Sequence, residues 1–431
     1  MNRVRTARRL AAVVLVATFV ASCRTFSPTP MAQVGFKARA QTQSTERATV
    51  TTAVLSAQET REVFGANLYK KKIQPIWLEI TNHTDGNMLF LPWSLDQAYF
   101  SPLEAAQKAG WTWKKPSQRE AADFFYTHQI DLVIAPGETA SGFVYANRDK
   151  GVRLVVAEVV GAGWRDHFEF LVEVPGFKAD FHRVDAAALY PEEEFVDLDE
   201  RGLRSWIEQL PCCVTNADET RNGDPVNLVI IGTEHSVWPA FARAGWDPTE
   251  TMGAGSAIKT GLHGIFGGAY RYAPISSLYL FGRSQDLALQ KVRSNIHYRN
   301  HLRLWLAPVT FEGAPVLVGQ ISRDIGSRFT TKSSTLTTHR IDPDVDETRD
   351  NLLQDFMYSQ ALEAFAYGKG VGVAPRSGPR TNLTGDVYFT DGLRLVMQLT
   401  DQPTTILDID YYRWEDPGLD RVEAPTEPAP P

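Results

Sequence analysis

Cysteine is scarce in this chain, with three in 431 residues and no C-x-x-C pair. That excludes a disulfide framework, a cysteine-rich zinc module and a dithiol motif of the thioredoxin kind. Long apolar runs are missing too. The run Leu10–Val20 is too short to cross a bilayer as a helix. Positive charge is in deficit, with 44 Lys and Arg against 51 Asp and Glu and a net charge of −7. With no basic runs, this balance argues against a nucleic-acid partner. No H-x-H or H-E-x-x-H spacing marks a metal site, and the glycines form neither a P-loop nor a dinucleotide fingerprint. What remains is an ordinary globular composition, long enough for two domains.

The first 22 residues hold Arg3, Arg5, Arg8 and Arg9 and no acid, followed by Leu10–Val20 and then Val20-Ala21-Ser22-Cys23. A basic head, a short apolar stretch and a small-residue cleavage site make a secretory signal. The pattern resembles a bacterial lipoprotein signal. That implies cleavage before Cys23 and lipidation of its thiol. Removal of residues 1–22 leaves a net charge of −11. Arg24 stands where an Asp favours the inner membrane of enteric-type bacteria. The expected location is therefore the cell envelope, on the periplasmic face of the outer membrane, with the membrane itself as a partner. Only Cys212 and Cys213 then remain. Adjacent cysteines either form a strained vicinal disulfide or stay as thiols, and a structural pair is the plainer account.

The expected fold class is α+β: an antiparallel β-sandwich with a helical insertion, then a mixed α/β domain. Residues 23–47 are poor in large apolar groups and read as a flexible tether. Residues 48–180 read as the sandwich. Strands are expected at Thr49–Leu55, Ile73–Thr81, Met88–Leu91, Ile130–Ile134, Ala140–Ala146, Val152–Val160 and His167–Val174. Helix starts stand at Ser56-Ala57-Gln58-Glu59, Ser101-Pro102-Leu103-Glu104 and Ser117-Gln118-Arg119-Glu120. Residues 181–224, with the acidic run Glu192–Glu194, read as a connector. The second domain, 225–412, opens with the apolar run Val226–Gly232, a strand buried on both faces, and a helix after Thr233. A small-residue helix is expected near Ser256–Phe266 and another helix from Pro343 to Phe365. Thr390-Asp391-Gly392 is expected to turn a hairpin, and 413–431 reads as a disordered, acidic, Pro-rich tail.

Titratable groups concentrate between His297 and Asp350. In the strand from His297 to Leu306, the odd positions carry Arg299, His301, Arg303 and Trp305, and the even ones Leu302, Leu304 and Leu306. A second strand, Pro315–Asp324, ends in Arg323-Asp324. A third, Thr335–Ile341, carries His339 and runs into Asp342, placed to cap a helix with Pro343 at its first position. Arg349 falls on that helix's apolar face and needs a carboxylate, which Asp324 or Asp342 is expected to supply.

Five separated blocks resemble the C-terminal domain family of the LssY proteins. They are Pro225–Gly232, the segment around Leu278-Tyr279-Leu280-Phe281-Gly282-Arg283, His301-Leu302-Arg303-Leu304-Trp305, Arg323-Asp324-Ile325-Gly326 and Thr337–Asp344. The resemblance covers residues 225–357. It implies no established activity. Relatives fused to membrane proteins of the phosphatidic-acid phosphatase and DedA kinds imply envelope or lipid-phosphate chemistry. Here a lipid anchor and a sandwich stand in place of transmembrane helices.

His301, His339, Asp342 and Asp324 are the candidate catalytic groups. Arg283, Arg299, Arg303, Arg323 and Arg349 are the candidate ligand contacts, since guanidinium forks match phosphate oxygens. The cluster suits a small anionic ligand better than a cation. No cofactor is expected, and a divalent metal is the lesser alternative. The function expected is binding or hydrolysis of a phosphorylated small molecule or lipid head group. The alternative is a non-enzymatic envelope scaffold docking another envelope protein, with the cluster a structural ion-pair network.

Overall fold

The computed structural model describes residues 26–149, 151–176, 189–190, 195–249, 275–293, 298–329 and 337–417. Cys23, Glu192–Glu194, the expected helix near Ser256–Phe266 and the tail beyond 417 lie outside them.

The strand-forming, alternating stretches of the first half assemble into two antiparallel sheets. One has the order Gln41–Ser44, Ala48–Val54, Ile73–Asn82, Thr139–Asn147. The other has the order Val133–Ile134, Met88–Leu91, Val152–Gly161, Trp164–Glu173. Alternation along Val152–Gly161 sends Val155, Ala157 and Val159 inward against Ile76, Leu78, Ile80, Phe168 and Phe170. The outer face of the first sheet is buried as well. Helices Ala57–Phe64, Pro102–Ala109 and Pro116–Thr127 cover it, burying Phe64, Trp111, Phe125, Phe143 and Tyr145. Ser56 and Glu59 form the expected capping box, and Ser101 accepts from the Glu104 N–H. The third cap differs. Pro116, whose fixed φ suits the first helical position, starts that helix after Lys115, leaving Ser117 inside the first turn.

The expected tether is part of this domain over its described residues. Phe36 is fully buried, Phe26 packs edge-on to Trp111 and Phe124, and Gln41–Ser44 pairs with Ala48–Val54. The amides of Gln41 and Gln43 donate to the Leu171 and Glu169 carbonyls, closing the edge of the opposite sheet. Few apolar residues suffice because each meets an aromatic cluster formed by distant elements.

The second domain is built on a ten-stranded mixed sheet. At its middle Leu228–Ile231 runs antiparallel to Ala314–Phe329 and parallel to Arg394–Leu399. All four of its residues are buried, because both faces are covered. Helices Glu234–Arg243 and Val345–Tyr358 cover Leu228, Ile230, Leu302, Leu304, Ile321 and Met397 on one face. Helix Glu200–Gln209 covers Val229, Ile231, Trp305, Val316 and Val318 on the other.

Three boundaries are corrected. The C-terminal part of the expected connector belongs to the domain: Val196–Leu198 pairs in parallel with Val309–Phe311, and Leu203 and Ile207 are core. Val345–Tyr358 is capped by Asp344, whose carboxylate accepts from the Glu347 N–H. It ends at Tyr358, and Phe365 lies in the strand Leu362–Gly368. Thr390-Asp391-Gly392 turns no hairpin. Arg394–Leu399 joins the central sheet, and Val387–Tyr388 pairs with Arg380–Thr381 instead. Asp391 is held there by other partners, described below. Trp414, placed in the tail by sequence, donates from its indole to Glu200 and stands beside Arg204.

Candidate functional site

Strand Arg299–Phe311 carries the site because period two separates its side chains. Leu302 and Leu304 enter the helix-covered core, while Arg299, His301, Arg303 and Trp305 take the other face. Register sets their neighbours. His301 lies between Gln290 and Ser322, and Arg303 between Ala288 and Gln320. Asp324, two residues beyond Ser322, shares that face. Its Oδ2 accepts from Arg299 Nε at 3.0 Å and its Oδ1 from His301 Nε2 at 2.9 Å. Arg299 also donates to Gln290 Oε1 at 2.5 Å. With Nε2 carrying the proton toward Asp324, the lone pair on His301 Nδ1 faces Arg303 Nη1, 3.4 Å away.

Arg303 is only 3% exposed. It donates to Gln320 Oε1 at 3.0 Å, to the Ser276 carbonyl at 3.0 Å and to Ser276 Oγ at 3.3 Å. Every one of these acceptors is neutral. Burial pushes its pKa down to about 10, with the charge of Asp224 acting the other way. Asp224 is buried and accepts from Asn382 Nδ2 at 2.9 Å. Burial raises its carboxyl above the ordinary range, against that hydrogen bond and the charge of Arg303.

Of the remaining expected groups, Arg323, Arg349, Asp342 and Arg283 do not join this cluster. Arg323, one residue from Asp324, points through the opposite face. It bonds Asn300 Oδ1 at 3.1 Å and pairs with Glu347 on the helix at 2.5 Å. Arg349 is fully buried, but neither Asp324 nor Asp342 is its partner. Asp391 binds it bidentately at 2.9 and 3.1 Å, Asp350 at 3.0 Å, and Asp346 stands 3.4 Å away. Asp342 turns back locally, its Oδ1 accepting from the Asp344 N–H at 3.1 Å. Arg283 sits further along the His301 face, chelating Asp286 at 2.8 and 3.0 Å and reaching Tyr190 and the Leu306 carbonyl. The backbone of His339 pairs opposite Ser327, and its imidazole lies outside the described residues. The candidate groups that concentrate in sequence between His297 and Asp350 therefore fall, among the described side chains, into separate clusters, divided by strand alternation and by the line of the helix.

Sequence reasoning missed four groups. Asp224, in Asn222-Gly223-Asp224-Pro225, looks like a turn residue. Gln290 and Gln320 gain meaning only through register. Arg394, fully buried, donates to the carbonyls of Ile207, Leu210, Pro211 and Val226, and so fixes the end of helix Glu200–Gln209 without any carboxylate. Just beyond Pro211, Cys212 and Cys213 are joined in a vicinal disulfide. Among the described residues no group of three or more His, Cys, Asp and Glu is arranged to hold a metal ion, and no helix is long and apolar enough to cross a membrane.

Comparison with curated proteins finds no match. A family model does match, from the last turn of the helix that ends at Gln209, across the His301–Arg303–Asp324 face, as far as Leu393. The match, over residues 206–393, is to the family described as LssY C-terminus, so this segment of the chain is similar to that family.

Proposed function

We propose that the protein is a lipid-anchored envelope protein whose C-terminal domain binds a small phosphate-like anion at Arg303. One observation carries the reading. Arg303 is a desolvated guanidinium whose hydrogen-bond acceptors, among the described residues, are all uncharged. A buried cation whose hydrogen bonds go only to neutral groups is costly, and an anion bonded to it offsets that cost. Binding is favoured over hydrolysis by His301. Its Nε2 is committed to Asp324 and its Nδ1 faces Arg303, so neither nitrogen is placed as a free general base. The anchor rests on Val20-Ala21-Ser22-Cys23.

The test is thermal unfolding of the full chain with inorganic phosphate. Wild type should gain several degrees at saturation, whereas Arg303→Gln should gain none and melt within a few degrees of wild type without ligand. An equal gain in both overturns the reading. For the anchor, a labelled fatty acid should mark wild type and not Cys23→Ala; equal labelling overturns it.

A second reading, an interaction module without ligand chemistry, is favoured by an apolar crevice toward the Phe311 end of the same strand, lined by Leu203, Ile231, Phe311, Ala366, Tyr412 and Trp414. Under it, phosphate leaves both melting temperatures unmoved.

A further inference from the structure

We propose that the Cys212–Cys213 disulfide is a thiol–disulfide exchange site, and that its reduction by a dithiol weakens anion binding at Arg303 by displacing Tyr388 and Asp224. The proposal rests on the anion reading of Arg303.

Three contacts connect the disulfide to Tyr388 and Asp224. Cys213 is buried and its Sγ lies 3.8 Å from the Tyr388 hydroxyl. Its strand pairs with Asn222–Pro225, Cys213 opposite Pro225, so the cysteine and Asp224 share one ladder. The small hairpin of Arg380–Thr381 and Val387–Tyr388 then holds both ends. Tyr388 touches the sulfur, and Asn382 donates to Asp224 at 2.9 Å. Asp224 is in turn the nearby acid whose charge acts on Arg303.

The packing also says which sulfur moves. Gly372 lies against Cys212 so closely that a Cβ on it would stand 2.6 Å from Cys212 Cβ, and the Cys212 carbonyl accepts from the Val226 N–H at 2.9 Å. Cys212 is therefore held at its Cβ and its carbonyl. When the two sulfurs separate from bonding to van der Waals distance, the displacement falls on Cys213 and on the phenol it touches.

Exposure favours attack at Cys212, which is half-buried, over Cys213. A thiolate of the dithiol attacks Cys212 Sγ. The Cys212–Cys213 bond breaks, Cys213 leaves as a thiolate and takes a proton. The second thiolate of the reductant then attacks its own sulfur in the mixed disulfide, and Cys212 leaves and is protonated. The protein gains two electrons and two protons, and the dithiol becomes a disulfide.

The experiment uses the folded full chain with dithiothreitol as reductant and inorganic phosphate as ligand. Thiol counting should give two new thiols without denaturant, and calorimetry should show phosphate binding at least tenfold weaker in the reduced protein. Cys212→Ala/Cys213→Ala should match the reduced form. Should that variant fail to fold, Tyr388→Phe should shrink the difference between oxidised and reduced protein. Equal affinity in the two states, or a disulfide that yields only to denaturant, overturns the proposal. If phosphate binds neither state, the anion reading fails by itself. The tyrosine-ring NMR signal lost in Tyr388→Phe then decides: a shift on reduction supports the switch, and an unmoved signal overturns it.

Discussion

The two domains bury charge very differently. Among the described residues the sandwich encloses two charged side chains, Arg153 and Asp166, in an interior that is mainly aromatic and aliphatic. The mixed domain buries Asp224, Arg299, His301, Arg303, Arg323, Asp324, Asp346, Arg349, Asp386 and Arg394. Burial of ions costs several kcal/mol each unless partners are well placed, and apolar replacements of the same volume are often at least as stable. A domain that retains so many is held together by directional contacts with fixed register. The other is held by shape and area. The first kind of interior fails when one partner is lost, the second when volume is lost.

That contrast can be broken most forcefully at Arg349. Arg349→Met leaves Asp391, Asp350 and Asp346 facing one another, and the second domain should lose about 3–5 kcal/mol in denaturant unfolding. Phe64→Ala, in the aromatic cluster of the sandwich, should cost a similar amount, about 3–5 kcal/mol, by cavity formation. The two changes separate in pH dependence. Burial raises the Asp346 carboxyl to about 6, against the charge of Arg349. The native state thus holds a proton that the unfolded state releases near pH 4. This contribution is present below that pH and is lost as pH rises through about 6, so second-domain stability should fall across this window. Asp346→Asn should lower stability overall, since it disturbs the bonds to Thr390 and Asp391, yet flatten that slope. A slope unchanged in the variant rules out Asp346 as its source. Phe64→Ala should leave the slope untouched. The smallest effect belongs to Arg47→Ala, which removes a half-exposed ion pair to Asp166 and should cost less than about 1 kcal/mol.

The sandwich was the more legible domain, for the same reason. Alternating apolar residues at Val152–Gly161 need only a second sheet to make sense, and the capping box at Ser56 is local. In the other domain the alternation of Arg299, His301 and Arg303 against leucines was readable, and so was their common face. Their partners were not. Asp224, Gln290 and Gln320 reach the site through strand register, and Asp391 reaches Arg349 through the packing of a helix against a loop. Arg323 and Asp324 are neighbours in sequence, but adjacency in a strand puts them on opposite faces. Phe26 and Phe36 looked like a tether because the cluster that receives them is assembled from elsewhere.

The central strand of the mixed sheet has a consequence in time. Leu228–Ile231 is flanked by Ala314–Phe329 and by Arg394–Leu399, the latter a parallel partner. Each partner arrives long after the strand itself. Any process that delivers the chain from its N-terminus, synthesis or passage through a pore, supplies everything from Gln41 to Glu173 first, and the sandwich can close on its own strands. The second sheet keeps its middle strand waiting until Arg394–Leu399, close to the end of the described chain, appears. Its closure is a late, long-range event of the slow-folding kind, and until then Leu228, Ile230 and Val229 are the surface that a chaperone would meet.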